Sequence, residues 1–304
     1  MAAPAPRIDD YALIGDSRSA ALVSRAGSLD WLCWPRFDSP AIFARILDRD
    51  AGHFSLAPRG AISSKRSYAA DSNVLVTEFE SREGVVRLFD FMSVFSEREK
   101  RDVLVPEHEI LRIVEGVSGS VEIEARFAPR PDYARRAARL RSLGPLGVRL
   151  ESGAELYTFR SSVPLEIEGS ASAAARFRID SGERRYFSLA YDAHGPAVLP
   201  PLGDGSDRAL ERTLAFWRAF AGRSTYQGPY REAVVRSLLA VKLLSFAPSG
   251  AVVAAPTTSL PERVGGDLNW DYRFCWLRDA AFTVRALLAL GHGDEAAAFG
   301  SWLL

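Results

Sequence analysis

Two cysteines, Cys33 and Cys275, are all that 304 residues contain, and they stand far apart in the chain. Their scarcity excludes a disulfide framework and fits a reducing, cytoplasmic setting. Histidine is also sparse. His53, His108, His194 and His292 follow no metal-ligand spacing, so no metal site is expected. An excess of either charge is missing, because 38 basic residues match 38 acidic ones. A dedicated nucleic-acid binder needs a basic surplus to meet phosphate, so nucleic acid is not an expected partner. Long apolar runs are lacking as well. The most apolar helical stretch, 233–246, is broken by Arg236 and Lys242. It also falls short of the roughly 20 residues that span a bilayer, so no membrane is expected. The opening MAAPAPRIDD has no basic segment followed by an apolar run, and no secretory signal is read there. No internal repeat or low-complexity tract breaks the chain.

What is present is ordinary globular composition, 47% hydrophobic and 25% charged, over a length that allows two domains with a sizeable core. Residues 1–195 read as strands. Val121, Ile123, Ala125 and Phe127 alternate with Glu122, Glu124 and Arg126, the period of a half-buried strand. The run Ile110–Val114 precedes it, and Glu-Gly-Val-Ser-Gly between them predicts a hairpin connection. Val74–Phe79 and Val85–Phe91 flank Arg-Glu-Gly, and Ala175–Ile179 and Arg185–Ala190 flank Asp-Ser-Gly, predicting two more hairpins. Many short strands with regular turn signals predict an antiparallel β-sandwich. One short helix is expected inside it, with Ser39 as N-cap, Pro40 at its first position, and Ile42, Ile46 and Leu47 on one side.

Residues 196–206, rich in Pro and Gly, read as a linker. Over 207–304 the period becomes helical. Leu210, Leu214, Trp217 and Ala221 follow Ser206 as N-cap. A second helix has Pro229 near its start and Val234, Val235, Leu238 and Leu239 along it. A third runs from Arg278 to Leu290, with Ala281, Val284 and Leu288 on its apolar face and Gly291 as its stop. A fourth begins near Asp294. The final residues, 295–304, are amphipathic and carry no stop signal, so a truncated chain is expected.

The densest cluster of unusual residues is Asn269-Trp-Asp-Tyr-Arg-Phe-Cys-Trp-Leu-Arg-Asp279, on a loop that leads into the third helix. It holds two of the six tryptophans. Aromatic faces stack on the C–H surface of sugar rings, and adjacent carboxylate and guanidinium groups grip vicinal hydroxyls. The bland reading is a helix-entry carboxylate, a surface ion pair and core tryptophans. Further along, Asp30, Trp31, Trp34, Arg36 and Asp38 read either as a loop reaching the same pocket or as a hairpin with buried aromatics. The arginines of 126–141 read as a solvated face before they read as a phosphate site.

With Ala280-Ala-Phe-Thr283 after it, the 269–279 cluster resembles the signature of glycoside hydrolase family 15, the glucoamylase-like and trehalase-like enzymes. Three other stretches match the trehalase-like branch: Ile8–Asp16 with Gly27–Pro40, then Pro129-Arg-Pro-Asp-Tyr133, then Thr257-Thr-Ser-Leu-Pro-Glu262. The resemblance runs from residue 8 to the end. It implies a multi-domain architecture, an antiparallel β-sandwich followed by the first helices of an (α/α)6 barrel. It also implies that Arg278 and Asp279 bond the hydroxyls of a terminal glucose, with Trp276 and Tyr272 shaping the walls. Trp34, Arg36, Asp38 and Trp270 are secondary candidates for a pocket loop. Leu268 departs from the branch, whose members often carry a basic residue there.

The expected function is that of the front portion of an inverting, exo-acting α-glucoside hydrolase acting on a glucose-containing disaccharide or oligosaccharide. Inversion needs one carboxyl to protonate the leaving oxygen and another to activate water across the ring. The family's two glutamates lie downstream of the Trp-x-Arg-Asp element. No catalytic residue is therefore assigned in this chain, and the polypeptide alone is expected to be inactive. No cofactor is expected. Some trehalase-like relatives need phosphate or magnesium, which nothing in this sequence indicates. The alternatives are a disaccharide phosphorylase of similar architecture and a non-catalytic carbohydrate-binding fragment.

Overall fold

A computed structural model describes residues 6–95, 105–153, 155–192, 198–259 and 261–304. His194 and the start of the expected linker, 196 and 197, lie outside the described residues. Among the described residues fifteen strands precede the α-helices. They are β1 (Tyr11–Gly15), β2 (Ala20–Ser24), β3 (Ser28–Cys33), β4 (Ala41–Ala44), β5 (His53–Pro58), β6 (Ser63–Tyr68), β7 (Leu75–Ser81) and β8 (Gly84–Met92). Then follow β9 (His108–Ala128), β10 (Arg139–Ser142), β11 (Val148–Ser152), β12 (Glu155–Ser161), β13 (Glu166–Glu168), β14 (Ser172–Asp180) and β15 (Arg184–Asp192). Four helices close the chain: α1 (Asp204–Gly222), α2 (Arg231–Leu243), α3 (Leu277–Ala289) and α4 (Gly293–Leu303).

All strand pairing is antiparallel, and β9 organises it. Its first half pairs with β8 and β15, and its second half with β5 and β14. The 21-residue strand thus leaves one sheet and enters the other. Phenylalanines from the two sheets meet between them: Phe127 of β9 stacks on Phe159 of β12 at 4.3 Å, and Phe54 of β5 meets Phe159 edge-on at 5.0 Å. Such aromatic pairs fix the distance between packed sheets.

This corrects two of the three expected hairpins. Glu115–Gly119 does not reverse the chain. Likewise β14 and β15 pair with β9 and not with each other, so Asp180–Glu183 is a second corner beside the first. The glycines there permit close backbone approach. A Cβ on Gly119, whose φ is +73°, would lie 2.0 Å from the Glu83 carbonyl oxygen. The third hairpin, β7–β8, forms as the sequence predicts, with Ser81 opposite Gly84.

The short helix expected after Ser39 is instead β4, paired with β3 through Trp31↔Ala44 and Leu32↔Phe43. Ala41–Ala44 are four consecutive buried residues, which a strand covered on both sides satisfies and an amphipathic helix does not. Leu47, expected on the buried side, is exposed.

One buried ion pair ties the sandwich together. Arg112 and Asp90 are both fully buried and bond at 2.7 and 3.3 Å. The guanidinium also donates to the carbonyls of Phe54 and Gly27, at 2.6 and 2.8 Å, and sits 4.6 Å over the Phe54 ring. Each guanidinium nitrogen thus has an acceptor, the condition under which a buried charge is tolerated.

The helices dock on the β1–β2 end of the sandwich. Ala20, Phe37 and Val94 share a core with Trp217, Phe220, Val235, Leu238, Leu239 and Leu243. Polar bonds fix the register of docking: Asn73 donates to the Leu239 carbonyl at 3.1 Å, Arg236 to the Ser72 carbonyl at 2.6 Å, and Ser17 to the Lys242 carbonyl at 3.0 Å. Helix α1 starts two residues before Ser206, capped at Gly203, whose φ of +91° suits glycine. On α3 the buried residues are Ala280 and Leu287, with Val284 partly buried, while Ala281 and Leu288 face outward. The expected face is right in period and about one residue out in phase.

Candidate sugar-recognition site

The Asn269–Asp279 segment is one arm of an irregular antiparallel hairpin that ends in α3. The amides of Ala254, Ala255 and Ser259 donate to the carbonyls of Phe274, Tyr272 and Trp270 at 3.0, 2.8 and 2.7 Å. A Thr258–Asp271 bridge joins the arms. Strand geometry makes successive side chains alternate between faces. Trp270 and Tyr272 fall on one face, Asp271 and Arg273 on the other.

Trp276, at the N-cap of α3, completes the first face. Its ring meets Trp270 at 6.3 Å and 83°, and Tyr272 at 5.4 Å and 81°. Both are edge-to-face, so the three rings form one aromatic wall with Trp276 at its centre. Trp270 is largely exposed, and its indole N–H donates to Glu262 at 3.1 Å. Arg278 and Asp279 follow on the first turn of α3. They touch each other at 3.4 Å, and no other side-chain hydrogen bond engages them among the described residues. Both are exposed, leaving their donors and acceptors to solvent or ligand. An acid in a first turn also interacts favourably with the helix dipole.

The opposite face is anchored. Arg273 is nine-tenths buried and forks onto Asp271 at 2.7 and 2.9 Å. It also donates to the Ser39 carbonyl at 3.1 Å and to the Tyr133 hydroxyl at 2.5 Å, and lies 3.5 Å from Cys33 Sγ. The Arg273 side chain and amide bonded to Asp271 hold its carboxyl below the ordinary range. Burial pushes the Cys33 thiol up to about 11, so it remains a thiol and not a nucleophile. Tyr133 sits in a run of three left-handed residues, Asp132, Tyr133 and Ala134, with φ of 54°, 55° and 64°. For non-glycine residues that conformation costs about 1–2 kcal/mol each.

Comparison with known proteins bears on this arrangement. Residues 1–183 match the model of the trehalase-like N-terminal domain, and residues 228–304 match that of glycosyl hydrolases family 15. The chain belongs to the trehalase-like branch of glycoside hydrolase family 15. It is 34% identical to a trehalase of Mycolicibacterium smegmatis over 99% of its length and 47% of the relative's. To a trehalase of Mycobacterium tuberculosis it is 36% identical, over 99% of its length and 46% of the relative's. The chain thus spans about half the length of the curated relatives it matches. Among solved structures, a putative kojibiose phosphorylase from human microbiome aligns over 80% of this chain and 40% of its own, with a TM-score of 0.42 and 9% identity.

For a member of this family, the placement of the secondary candidates is uneven. Trp270 joins the aromatic wall. Trp34 does not line an open surface: it is fully buried in the sandwich core, 6.0 Å from the His108 ring and 6.3 Å from Tyr191. Arg36 and Asp38 form a bidentate pair at 2.9 and 2.7 Å on an exposed loop. That loop is pinned by Phe37, buried against Phe246 at 6.3 Å. It reaches the hairpin through the Ser39 carbonyl on the anchored face, and no hydrogen bond or ring contact joins Arg36 or Asp38 to the aromatic wall. Three of the six arginines of 126–141 pair with acids, Arg126 with Glu168, Arg136 with Asp132 and Arg141 with Glu151, as a solvated face does. Sequence reading missed Arg273 and Tyr133. The alternation of the hairpin arm was the available signal, since it sets Arg273 opposite its aromatic neighbours.

No described helix is long and apolar enough to cross a membrane, and the described residues hold no cluster of three or more His, Cys, Asp or Glu able to bind a metal.

Proposed function

We propose that this chain supplies the terminal-glucose recognition surface of an inverting, exo-acting α-glucoside hydrolase of the trehalase type. The observation that carries the reading is the aromatic wall of Trp270, Tyr272 and Trp276, continued directly by the exposed Arg278–Asp279 pair. A pyranose offers an apolar C–H face and a rim of hydroxyls. The wall suits the first, and a carboxylate beside a guanidinium suits the second. The relatives are named trehalases, which favours a disaccharide of two glucoses over a longer chain.

On this reading the 304 residues recognise sugar and do not cleave it. Inverting hydrolysis needs two carboxyls roughly 6.5–9.5 Å apart across the scissile bond. The acids beside the wall are already assigned other partners: Asp271 is held by Arg273, Glu262 by the Trp270 indole, and Asp279 sits with Arg278 in the recognition pair. The family resemblance puts the catalytic glutamates in helical segments downstream of the Trp-x-Arg-Asp element.

Calorimetric titration of the chain with glucose, maltose and trehalose tests the proposal. The expected outcome is saturable binding, tightest for trehalose, with no free glucose released during incubation. Absence of binding to all three would remove the recognition site. Glucose release would remove the claim that cleavage needs other carboxyls, and sugar phosphate formed in the presence of phosphate would favour a phosphorylase.

A further inference from the structure

The Pro129–Tyr133 motif takes no part in the aromatic wall, yet its backbone is held in an unfavourable conformation. Three consecutive non-glycine residues, 132–134, are left-handed. Such conformations persist only where the surroundings over-determine them, and they gather at functional sites. Here the surroundings are specific. The Tyr133 amide donates to the Ala41 carbonyl, that of Ala134 to the Arg130 carbonyl and that of Arg135 to the Asp132 carbonyl, at 3.1, 3.1 and 2.9 Å. The turn directs one phenol hydroxyl onto Arg273.

Arg273 gathers partners from two distant stretches, Cys33–Ser39 and the 132–134 turn, and from Asp271 on its own arm. A guanidinium presents its donors in a rigid planar fork, so these partners fix its orientation as well as its position. The alternation of the hairpin arm then passes that orientation to the opposite face. Arg273 follows Tyr272 directly, and the carbonyl of Asp271 lies 3.5 Å from the Trp276 indole nitrogen. Moving the Asp271–Arg273 unit would move both rings.

We infer that Arg273, held by Tyr133 and the left-handed turn, is a positioning residue through which the sandwich sets the geometry of the aromatic wall. The inference rests on the sugar-recognition reading above. Arg273 touches no sugar; it acts through Tyr272 and Trp276. In this arrangement the sandwich is the template against which the recognition hairpin is shaped.

The test compares the wild-type chain with Tyr133→Phe, Arg273→Lys and Arg273→Met, using trehalose as the probe. Tyr133→Phe deletes one hydroxyl and leaves the packing, so it remains informative should Arg273→Met fail to fold. Two readouts are taken. The first is hydrogen exchange at the Ala255 and Ser259 amides, which cross the hairpin. It should accelerate about tenfold or more in Tyr133→Phe and Arg273→Lys, while β-strand amides of the sandwich stay protected. The second is trehalose affinity, which should fall about 10-fold in Tyr133→Phe and Arg273→Lys and about 100-fold in Arg273→Met, the scale of loss that misplacement of a binding group produces. The unfolding midpoint of Tyr133→Phe should stay within about 2 °C of wild type, so that affinity loss is not loss of fold. Unchanged exchange in both conservative variants overturns the inference. Faster exchange with unchanged affinity also overturns it, because Arg273 would then order the hairpin without setting the wall. If the wild type binds no trehalose, the recognition reading fails, and the exchange readout alone decides whether Arg273 orders the hairpin.

Discussion

Asp279→Asn weakens trehalose binding by about 100-fold or more and leaves the fold in place. The carboxylate is exposed and, among the described residues, bonds only to Arg278, at 3.4 Å, so the substitution breaks no described buried network. Asparagine keeps the size and one acceptor oxygen. It replaces the second acceptor with a donor and removes the charge. A sugar hydroxyl that donated to that oxygen then meets an N–H, and charge-assisted hydrogen bonds are about twice as strong as neutral ones. Two such losses account for the expected factor. The cost to folding is confined to the helix-dipole contribution, about 0.3–1 kcal/mol. Thermal unfolding and calorimetry on one preparation separate the two effects. Unchanged affinity in Asp279→Asn would take Asp279 out of the site.

Arg112→Met destabilises the sandwich by about 3–5 kcal/mol, the scale seen when one partner of a buried ion pair is removed. Asp90 would stay fully buried with its charge uncompensated, and the carbonyls of Phe54 and Gly27 would each lose the guanidinium donor, Gly27 keeping the Leu56 amide. Protonation of the stranded carboxyl would relieve part of the cost. Replacing both members, Arg112→Met with Asp90→Leu, should recover much of the loss, because well-packed apolar side chains remove the need for the pair. Urea unfolding of the single and double variants measures this. A single variant within about 1 kcal/mol of wild type would mean that the pair contributes little.

These two residues also mark how far the sequence could be read. Asp279 was legible because it stands in a dense cluster of unusual residues that matches a family motif. Arg112 was not, since a single arginine in an alternating strand looks like any solvent-facing charge. Its burial depends on Asp90 and Phe54 from two other strands and Gly27 from the β2–β3 turn converging on it. The β7–β8 hairpin was legible because its turn joins the two runs it separates. The corner in β9 was not, because Gly116 and Gly119 serve close packing of adjacent backbones and give the same local signal as a reversal. Period survived better than phase. The α3 stripe was found at helical spacing, but which residues turn inward depends on α4 and on the Val252 segment packed against it. Alternation could set Arg273 on the face away from the rings, but its contact with Tyr133 lay beyond local pattern because the two are 140 residues apart.

The central claim is that sugar is held on the aromatic wall beside Arg278 and Asp279. The tryptophan indole N–H resonances report on it directly, because the six tryptophans divide cleanly between wall and elsewhere. Trp31, Trp34 and Trp217 are fully buried in the sandwich or beneath the helices, and Trp302 packs on Phe299 in α4, whereas Trp270 and Trp276 form the wall. Titration of the labelled chain with trehalose should shift the Trp270 and Trp276 indole signals saturably and leave those of Trp31, Trp34 and Trp217 in place. Shifts confined to the buried three, or no shift at saturating trehalose, would contradict the account.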